Sequence, residues 1–174
     1  MVFIATSLDG YIADSNGELD WLNSVPNPDH LDMGYSKFME QVDALVMGRN
    51  TFETVLGFGG DWPYQKPVFV LSRTLDAIPE EYKGKAELIN GSLTQVLEAI
   101  HGKGYLRLYI DGGVTIQNFL KEDLIDEMII TTIPVLLGGG SPLFSKLPKE
   151  LNLNLVETKV FLNQIVQNRY TRKG

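Results

Sequence analysis

Apolar positions along the chain form short runs that alternate with amphipathic stretches. The apolar runs predict strands at 1–7, 43–47, 68–71, 86–89, 105–110, 124–134, 151–162 and 165–171. Apolar residues at helical spacing predict helices at 30–41, from about 50 onward, at 93–101 and at 114–122. Strands that alternate with helices predict a mostly parallel sheet, and Asn163 between the last two runs predicts an antiparallel hairpin. We therefore expect one α/β domain over residues 1–174 with a mixed sheet.

The most informative segment is the junction that follows the apolar run Ala44–Met47. Gly48 ends this run, and Asn50 or Thr51 can begin a helix at once. The start of a helix presents unpaired backbone N–H groups and a partial positive charge, and this arrangement binds phosphate. Arg49 adds a cation, so the segment predicts a site for a phosphorylated ligand.

A second junction of the same kind follows the apolar run that ends at Ile110. Asp111-Gly112-Gly113 leads into a predicted helix that carries Thr115 in its first turn. If both junctions lie at the carboxyl edge of a parallel sheet, they can hold one ligand with several phosphates, such as a dinucleotide. Each junction alone is also explained as an ordinary turn. Neither has the G-x-G-x-x-G spacing, which makes an ordinary Rossmann domain the weaker interpretation.

The end of a third strand adds Leu71-Ser72-Arg73 to these junctions. A guanidinium beside a hydroxyl pairs well with phosphate oxygens, so Arg73 together with Arg49 favours a ribose 2′-phosphate and hence NADPH over NADH. Taken alone, Arg73 is more typical of a solvated residue at a strand end.

Composition and charge argue against a nucleic-acid-binding protein, a metalloprotein and a membrane protein. The chain has 174 residues, 44% hydrophobic and 21% charged, with a net charge of −7 that disfavours a nucleic-acid partner. It has no cysteine, and its two histidines, His30 and His101, have no metal-ligand spacing, so we expect no metal. No targeting segment and no membrane-spanning run stands out, which predicts a cytoplasmic protein without a membrane partner.

Four segments together resemble one known family. They are Ser7–Ala13, Met47–Glu53, Ile110–Gly113 and Pro134–Phe144. On these segments the chain resembles the dihydrofolate reductase-like superfamily, and more closely the reductase domain of the bifunctional riboflavin-pathway deaminase-reductase. The resemblance implies a dihydrofolate-reductase-like three-layer fold and a homodimer. It also implies an NADPH-dependent oxidoreductase that transfers a hydride to a small heterocycle, either pterin-like or ribosylaminopyrimidine-like.

The resemblance also implies roles for individual residues in holding NADPH. Gly48, Arg49, Asn50 and Thr51 would hold the pyrophosphate and the adenosine side, and Leu71, Ser72 and Arg73 would form the 2′-phosphate region. Gly112, Gly113 and Thr115 would line the diphosphate, while the Ala5 backbone would face the nicotinamide amide.

Two carboxylates are candidates for catalysis. Asp32 is predicted on the helix at 30–41, three residues before Tyr35, where partial burial would raise its pKa and suit it to proton transfer. The alternative for Asp32 is a charge at a helix start that interacts with the dipole. Asp9 follows the first strand, close to the expected nicotinamide, and its alternative role is the Asp-Gly turn.

Trp21 and Tyr35 are the candidates for the substrate pocket, although a large aromatic such as Trp21 is also typical of the core. Asp20 stands where dihydrofolate reductases have proline, so folate reduction itself is not predicted. Two other classes stay open at this point. One is a nucleotide-binding protein without redox turnover, and the other is a purely structural dimer module.

Overall fold

The computed structural model describes residues 1–174 and contains ten strands, four α-helices and two short 3-10 helices. The strands are β1 (Val2–Ser7), β2 (Tyr11–Ala13), β3 (Ala44–Gly48), β4 (Val68–Leu71), β5 (Ala86–Ile89), β6 (Leu108–Asp111), β7 (Glu127–Ile133), β8 (Ser141–Pro142), β9 (Leu153–Phe161) and β10 (Ile165–Arg172). The helices are α1 (Tyr35–Gln41), α2 (Arg49–Gly57), α3 (Leu93–Gly102) and α4 (Gly113–Lys121), with 3-10 turns at Asp20–Asn23 and Glu80–Tyr82. None of the helices has the length and apolar character needed to cross a membrane.

The main sheet consists of two four-stranded halves, β5-β4-β3-β6 and β1-β7-β10-β9. The halves meet at Met1, whose amine donates a hydrogen bond to the Leu108 carbonyl oxygen (2.8 Å), while the Ile110 amide donates to the Met1 carbonyl oxygen (2.9 Å). The pairs β5–β4, β4–β3, β3–β6 and β1–β7 are parallel, and β10 is antiparallel to both β7 and β9. The carboxyl ends of β4, β3, β6 and β1 therefore lie along one edge.

Helices cover both faces of the sheet, because alternate strand residues point to opposite sides. On β3, Ala44 and Val46 pack into a core with α3 and α4, whereas Leu45 and Met47 pack into a core with α1 and α2. All four β3 side chains are fully buried. The predicted α/β three-layer fold, with a mixed, mostly parallel sheet and a C-terminal antiparallel hairpin, is confirmed.

Apart from strand ends that shift by up to three residues, the structure differs from the predicted elements in two places. The helix predicted at 30–41 begins only at Tyr35, because the preceding Gly34 has a φ of 89° that no right-handed helix accepts. The short pair β2–β8 was not predicted, since two or three residues carry no periodic pattern. This pair joins Tyr11 to Pro142 and Ala13 to Ser141.

Candidate active site

A groove of about 1310 Å³ runs along the carboxyl edge of the sheet. Parallel strands place their carboxyl ends side by side, so residues far apart in sequence line the same wall. All eleven residues that the sequence predicts for a cofactor lie in this lining: Ala5, Gly48, Arg49, Asn50, Thr51, Leu71, Ser72, Arg73, Gly112, Gly113 and Thr115. The structure thus brings the three predicted strand ends and the end of β1 together.

The two strand–glycine–helix junctions interlock at the floor of the groove. A Cβ on Gly48 would lie 2.8 Å from the Thr115 hydroxyl oxygen, and a Cβ on Gly112 would collide with the Thr51 hydroxyl oxygen. Each threonine thus occupies the space left by the glycine of the other junction. Because both glycines lack a side chain, their backbone atoms are accessible from the groove.

The first turns of α2 and α4 have free amides. Neither helix has a side-chain hydrogen bond at its N-cap, which is Gly48 for α2 and Gly112 for α4. Helix α3 provides the contrast, since Ser92 and Gln95 close its first turn with a capping box. Two uncapped helix starts that face one groove offer the unpaired amides and the partial positive charge that can bind phosphate.

Two arginines flank these helix starts on the β4 side. The Arg49 side chain donates to the Glu53 carboxylate (Nε–Oε1, 2.6 Å) and to the Thr74 hydroxyl (Nη1–Oγ1, 3.1 Å). Arg73 is exposed and forms no ion pair. The buried Ser72 hydroxyl accepts hydrogen bonds from the Thr74 and Leu75 amides, which shapes the turn that presents Arg73 to the groove.

Asp111 is a carboxylate deep in the groove, and it is not among the candidate site residues predicted from the sequence. It is the last residue of β6, deep in the protein, yet part of its surface stays open to the groove. Its Oδ1 accepts a hydrogen bond from the Gly112 amide (2.8 Å), which leaves Oδ2 available. Burial raises the pKa of the Asp111 carboxyl to about 6, and the Gly112 amide and the nearby Tyr109 hydroxyl offset only part of this rise.

Three tyrosines surround Asp111. The Tyr109 hydroxyl donates to the Phe3 carbonyl oxygen (2.9 Å), and Tyr35 packs edge-on against the Phe3 ring. Tyr64 lines the groove itself. Burial, followed by the nearby Asp111 charge, raises the pKa of all three phenols, so each keeps its proton at neutral pH. The sequence signal that could have identified Asp111 is a charged residue at the end of an otherwise buried strand.

Asp9 lies outside the groove lining, and the structure gives it a different task from proton transfer. Its carboxylate accepts hydrogen bonds from the Ser7 hydroxyl (2.6 Å) and from the Leu137 and Gly138 amides (3.1 and 2.8 Å). These bonds, that of Ser7 above all, hold the pKa of Asp9 below its usual value. Through these hydrogen bonds, Asp9 joins the turn after β1 to the loop after β7.

The expected partial burial of Asp32 is wrong. Asp32 is exposed and precedes α1, where its carboxylate accepts hydrogen bonds from the Ser36 and Gly34 amides (both 2.9 Å). Hydrogen bonds from Ser36 and Gly34 lower the pKa of Asp32, whereas proton donation requires a raised one. The alternative interpretation, a charge at a helix start, describes the observed geometry.

The two aromatic residues predicted for the substrate pocket do not line the groove. Trp21 is buried in a small core with Val25, Ile133 and Ile165, so the alternative role in the core is the observed one. Tyr35 is half-buried behind Asp111. Leu19 and Leu22, which flank Trp21 in the sequence, line the groove instead, and so does Tyr64.

Comparisons with known proteins agree with this geometry. The model of the RibD C-terminal domain matches residues 1–167. The uncharacterized protein YwjB of Bacillus subtilis (strain 168) is 39% identical over 174 residues, which are 99% of this chain and 97% of YwjB.

Two solved structures are similar throughout the chain. A protein from Shewanella sp. PV-4, provisionally described as a riboflavin biosynthesis protein, is 58% identical, with a TM-score of 0.97 over 99% of this chain and 98% of that one. The dihydrofolate reductase of Enterococcus faecalis, solved with NADP(H), is 20% identical and shares the fold, with a TM-score of 0.67 over 99% of this chain and 95% of that one. By its sequence and its fold, this chain belongs to the RibD C-terminal domain family.

Proposed function

We propose that this protein is an NADPH-dependent reductase that transfers a hydride to a small heterocyclic substrate, either pterin-like or ribosylaminopyrimidine-like. The observation that carries the proposal is the convergence of two uncapped helix starts and two arginines on one groove with a buried carboxyl. The family supports a reductase-like role, because its model is the C-terminal domain of RibD and its fold is shared with dihydrofolate reductase.

The residues of the groove fit NADPH. The bare backbone at Gly48 and Gly112 leaves room for a diphosphate against the amides of α2 and α4. Arg73, which has no ion-pair partner, would hold the 2′-phosphate together with the Ser72 turn and Arg49. Ala5, near the carboxyl end of β1, would face the nicotinamide.

The protein itself would orient the cofactor and the substrate and supply a proton to the substrate. When bound, the reduced nicotinamide supplies the hydride, so two electrons reach a substrate carbon and a neighbouring nitrogen requires one proton. Asp111 can hold that proton at Oδ2, because Oδ1 is already engaged by the Gly112 amide. A carboxyl with a pKa of about 6 is partly protonated near neutral pH, which suits a general acid.

Titration calorimetry with NADPH and NADH tests the cofactor assignment. We expect the unmodified protein to bind NADPH more tightly, and Arg73→Ala to weaken NADPH by about 1.5–3 kcal/mol, the range for a hydrogen bond to a charged group. NADH should be much less affected, because it lacks the 2′-phosphate. Arg107→Ala removes an exposed arginine outside the groove and serves as the matched control.

The outcomes separate the competing functions. Equal weakening of both cofactors by Arg73→Ala would remove Arg73 from the 2′-phosphate site. Failure of the unmodified protein to bind either cofactor would defeat the reductase proposal. Tight NADPH binding without oxidation by any pterin, pyrimidine or quinone would favour a nucleotide-binding protein without turnover.

We also propose that two copies pair through the edge strand β9. Every β9 side chain but the last is exposed, including Val156 and Val160. Two antiparallel copies of β9 centred on Thr158 would set Glu157 opposite Lys159 of the second copy, and Val156 opposite Val160. Such a contact is self-complementary in charge and apolar surface, as a two-fold interface requires.

Size-exclusion chromatography with light scattering tests this pairing. We expect a mass of twice 19.4 kDa for the unmodified protein and the monomer mass for Val160→Lys, because the two-fold axis brings two unpaired charges into the apolar contact. Leu106→Lys, at an equally exposed apolar position before β6, should leave the dimer intact. A monomeric unmodified protein would contradict the proposal.

A further inference from the structure

The Arg49 guanidinium is held by two side chains that lie outside the groove lining. Its Nε donates a hydrogen bond to the Glu53 carboxylate (2.6 Å), and its Nη1 donates to the Thr74 hydroxyl (3.1 Å). Arg49 itself lines the groove, whereas neither Glu53 nor Thr74 does. The other N–H groups of the guanidinium therefore stay available to a ligand in the groove.

The Thr74 contact ties Arg49 to the sheet. Thr74 lies in the turn after β4, and its amide donates to the hydroxyl oxygen of the buried Ser72 (3.1 Å). The Ser72 amide in turn donates to the carbonyl oxygen of Ile89, the last residue of β5 (3.1 Å). Arg49 thus bridges the start of α2 to the turn that carries Arg73.

The ion pair between Arg49 and Glu53 is poorly placed to stabilise α2 itself. Arg49 is the first residue of the helix, where a cation meets the partial positive charge of the helix start. The reverse order, with the acid nearer the helix start, stabilises a helix better. Both side chains are also nearly half exposed, and exposed ion pairs contribute little to folding. A role at the groove explains the pair better than a role in the helix.

Arg73 shows how Arg49 would behave without these contacts. The Arg73 side chain is exposed and forms no ion pair. A free arginine side chain loses rotamer freedom when it captures a phosphate, and this loss weakens binding. Arg49 is already restrained in the folded protein, so its remaining donors can pair with phosphate oxygens at a smaller entropic cost.

We propose that Glu53 and Thr74 are positioning residues, which hold the Arg49 guanidinium in the orientation that receives the 2′-phosphate of the cofactor. The inference rests on the proposed NADPH-dependent function and adds two residues to it that do not line the groove. Glu53 is an anion beside a site for an anion, so its charge alone would oppose binding. Its hydrogen bond to Nε outweighs this repulsion, because it fixes the plane of the guanidinium fork.

Two substitutions of Glu53 separate positioning from charge. Glu53→Ala removes both the charge and the hydrogen bond, whereas Glu53→Gln removes the charge but keeps an oxygen that can accept from Nε. Alanine and glutamine are good helix formers, so α2 should persist in both variants. In titration calorimetry we expect Glu53→Ala to weaken NADPH binding by about two- to tenfold, the range for one long side chain that must be immobilised on binding.

Glu53→Gln should bind NADPH much as the unmodified protein does, because the hydrogen bond is retained. The free energy of unfolding should stay the same in both variants, since the ion pair is exposed. If charge were the main effect, both variants would instead bind NADPH more tightly. An unchanged or tighter NADPH complex of Glu53→Ala would therefore overturn the inference.

The effect should be confined to the 2′-phosphate. NADH lacks this group, so Glu53→Ala should leave NADH affinity unchanged. Thr74→Val should weaken NADPH in the same way, and Thr74→Ser should restore it, because serine keeps the hydroxyl. Glu98→Ala removes an exposed carboxylate from α3, outside the groove, and is the matched control that should change neither cofactor. Equal loss of NADPH and NADH in Glu53→Ala would contradict the proposed role.

Adenosine 2′-phosphate separates this inference from the function on which it rests. This probe carries the phosphate without a nicotinamide, and adenosine is its phosphate-free counterpart. If adenosine 2′-phosphate is weakened by Glu53→Ala but no pterin or pyrimidine oxidises NADPH, the reductase proposal fails and the positioning role is supported. If NADPH is oxidised but Glu53→Ala binds both phosphate ligands as the unmodified protein does, only the positioning role fails.

Discussion

Asp111→Asn is expected to lower kcat by a factor of about 10² to 10⁴, the usual contribution of a general acid. The asparagine amide has nearly the same shape, and its oxygen can still accept the Gly112 hydrogen bond, but it carries no transferable proton. In the unmodified protein, kcat should fall as pH rises through about 6, because the carboxyl loses its proton there. The variant should lack this ionisation, and the measurement is kcat between pH 5 and 8.

The same substitution is expected to increase stability at neutral pH. The folded-state pKa of Asp111 is raised above its unfolded value, so ionisation costs folding energy. This cost is absent below about pH 4, grows as pH rises to about 6 and stays constant above that, where it amounts to about 1–3 kcal/mol. Asp111→Asn should recover this energy at pH 7 and little of it at pH 4, as measured by urea unfolding.

Loss of activity together with gain of stability identifies a functional group rather than a structural one. A variant that lost both would show that Asp111 supports the fold instead. A kcat profile with the same fall near pH 6 in Asp111→Asn would assign the proton to another group.

Gly112→Ala is the second large expected effect, because it places a side chain where Thr51 already lies. Gly112 also has a φ of 90° with a ψ of 136°, a sparsely populated conformation that costs an L-residue on the order of 1–3 kcal/mol. The collision with the Thr51 hydroxyl should add about 1–3 kcal/mol, as overpacking does elsewhere. NADPH affinity should fall as well, since Thr51 and the first turn of α2 must move.

Gly104→Ala is the comparison at a glycine of positive φ that has free space around it. Gly104 also has a φ of 90°, but no atom lies within 4 Å of the position that its Cβ would occupy. We therefore expect Gly104→Ala to lower the free energy of unfolding by less than Gly112→Ala does. Equal destabilisation by both substitutions would mean that the two junctions are not interlocked as described.

Local patterns in the sequence were enough to predict the parts of the fold that depend on neighbouring residues. The apolar run Ala44–Met47, ended by Gly48, predicted a strand that leads directly into a helix, and the structure confirms it. The same holds for the run that ends at Ile110 and for the hairpin around Asn163. These features are visible in the sequence because strand and helix periodicities and glycine conformations act over a few residues.

The chemistry of single carboxylates was decided only by tertiary structure. Asp9, Asp32 and Asp111 each lie within two residues of a glycine, and the neighbouring residues in the sequence do not distinguish their roles. In the fold, backbone amides hold the first two as exposed anions. Only Asp111 is enclosed, by Tyr35, Tyr64 and Tyr109 from three separate segments.

By itself, then, the sequence determined where strands turn into helices and which bare glycines can face a phosphate. The assembled sheet decided which strand ends meet, on which side of the groove the arginines lie, and which carboxyl is buried enough to retain a proton. The reason is physical. Hydrogen bonding within a turn depends on adjacent residues, whereas desolvation and the sign of a pocket's charge depend on every segment packed around it.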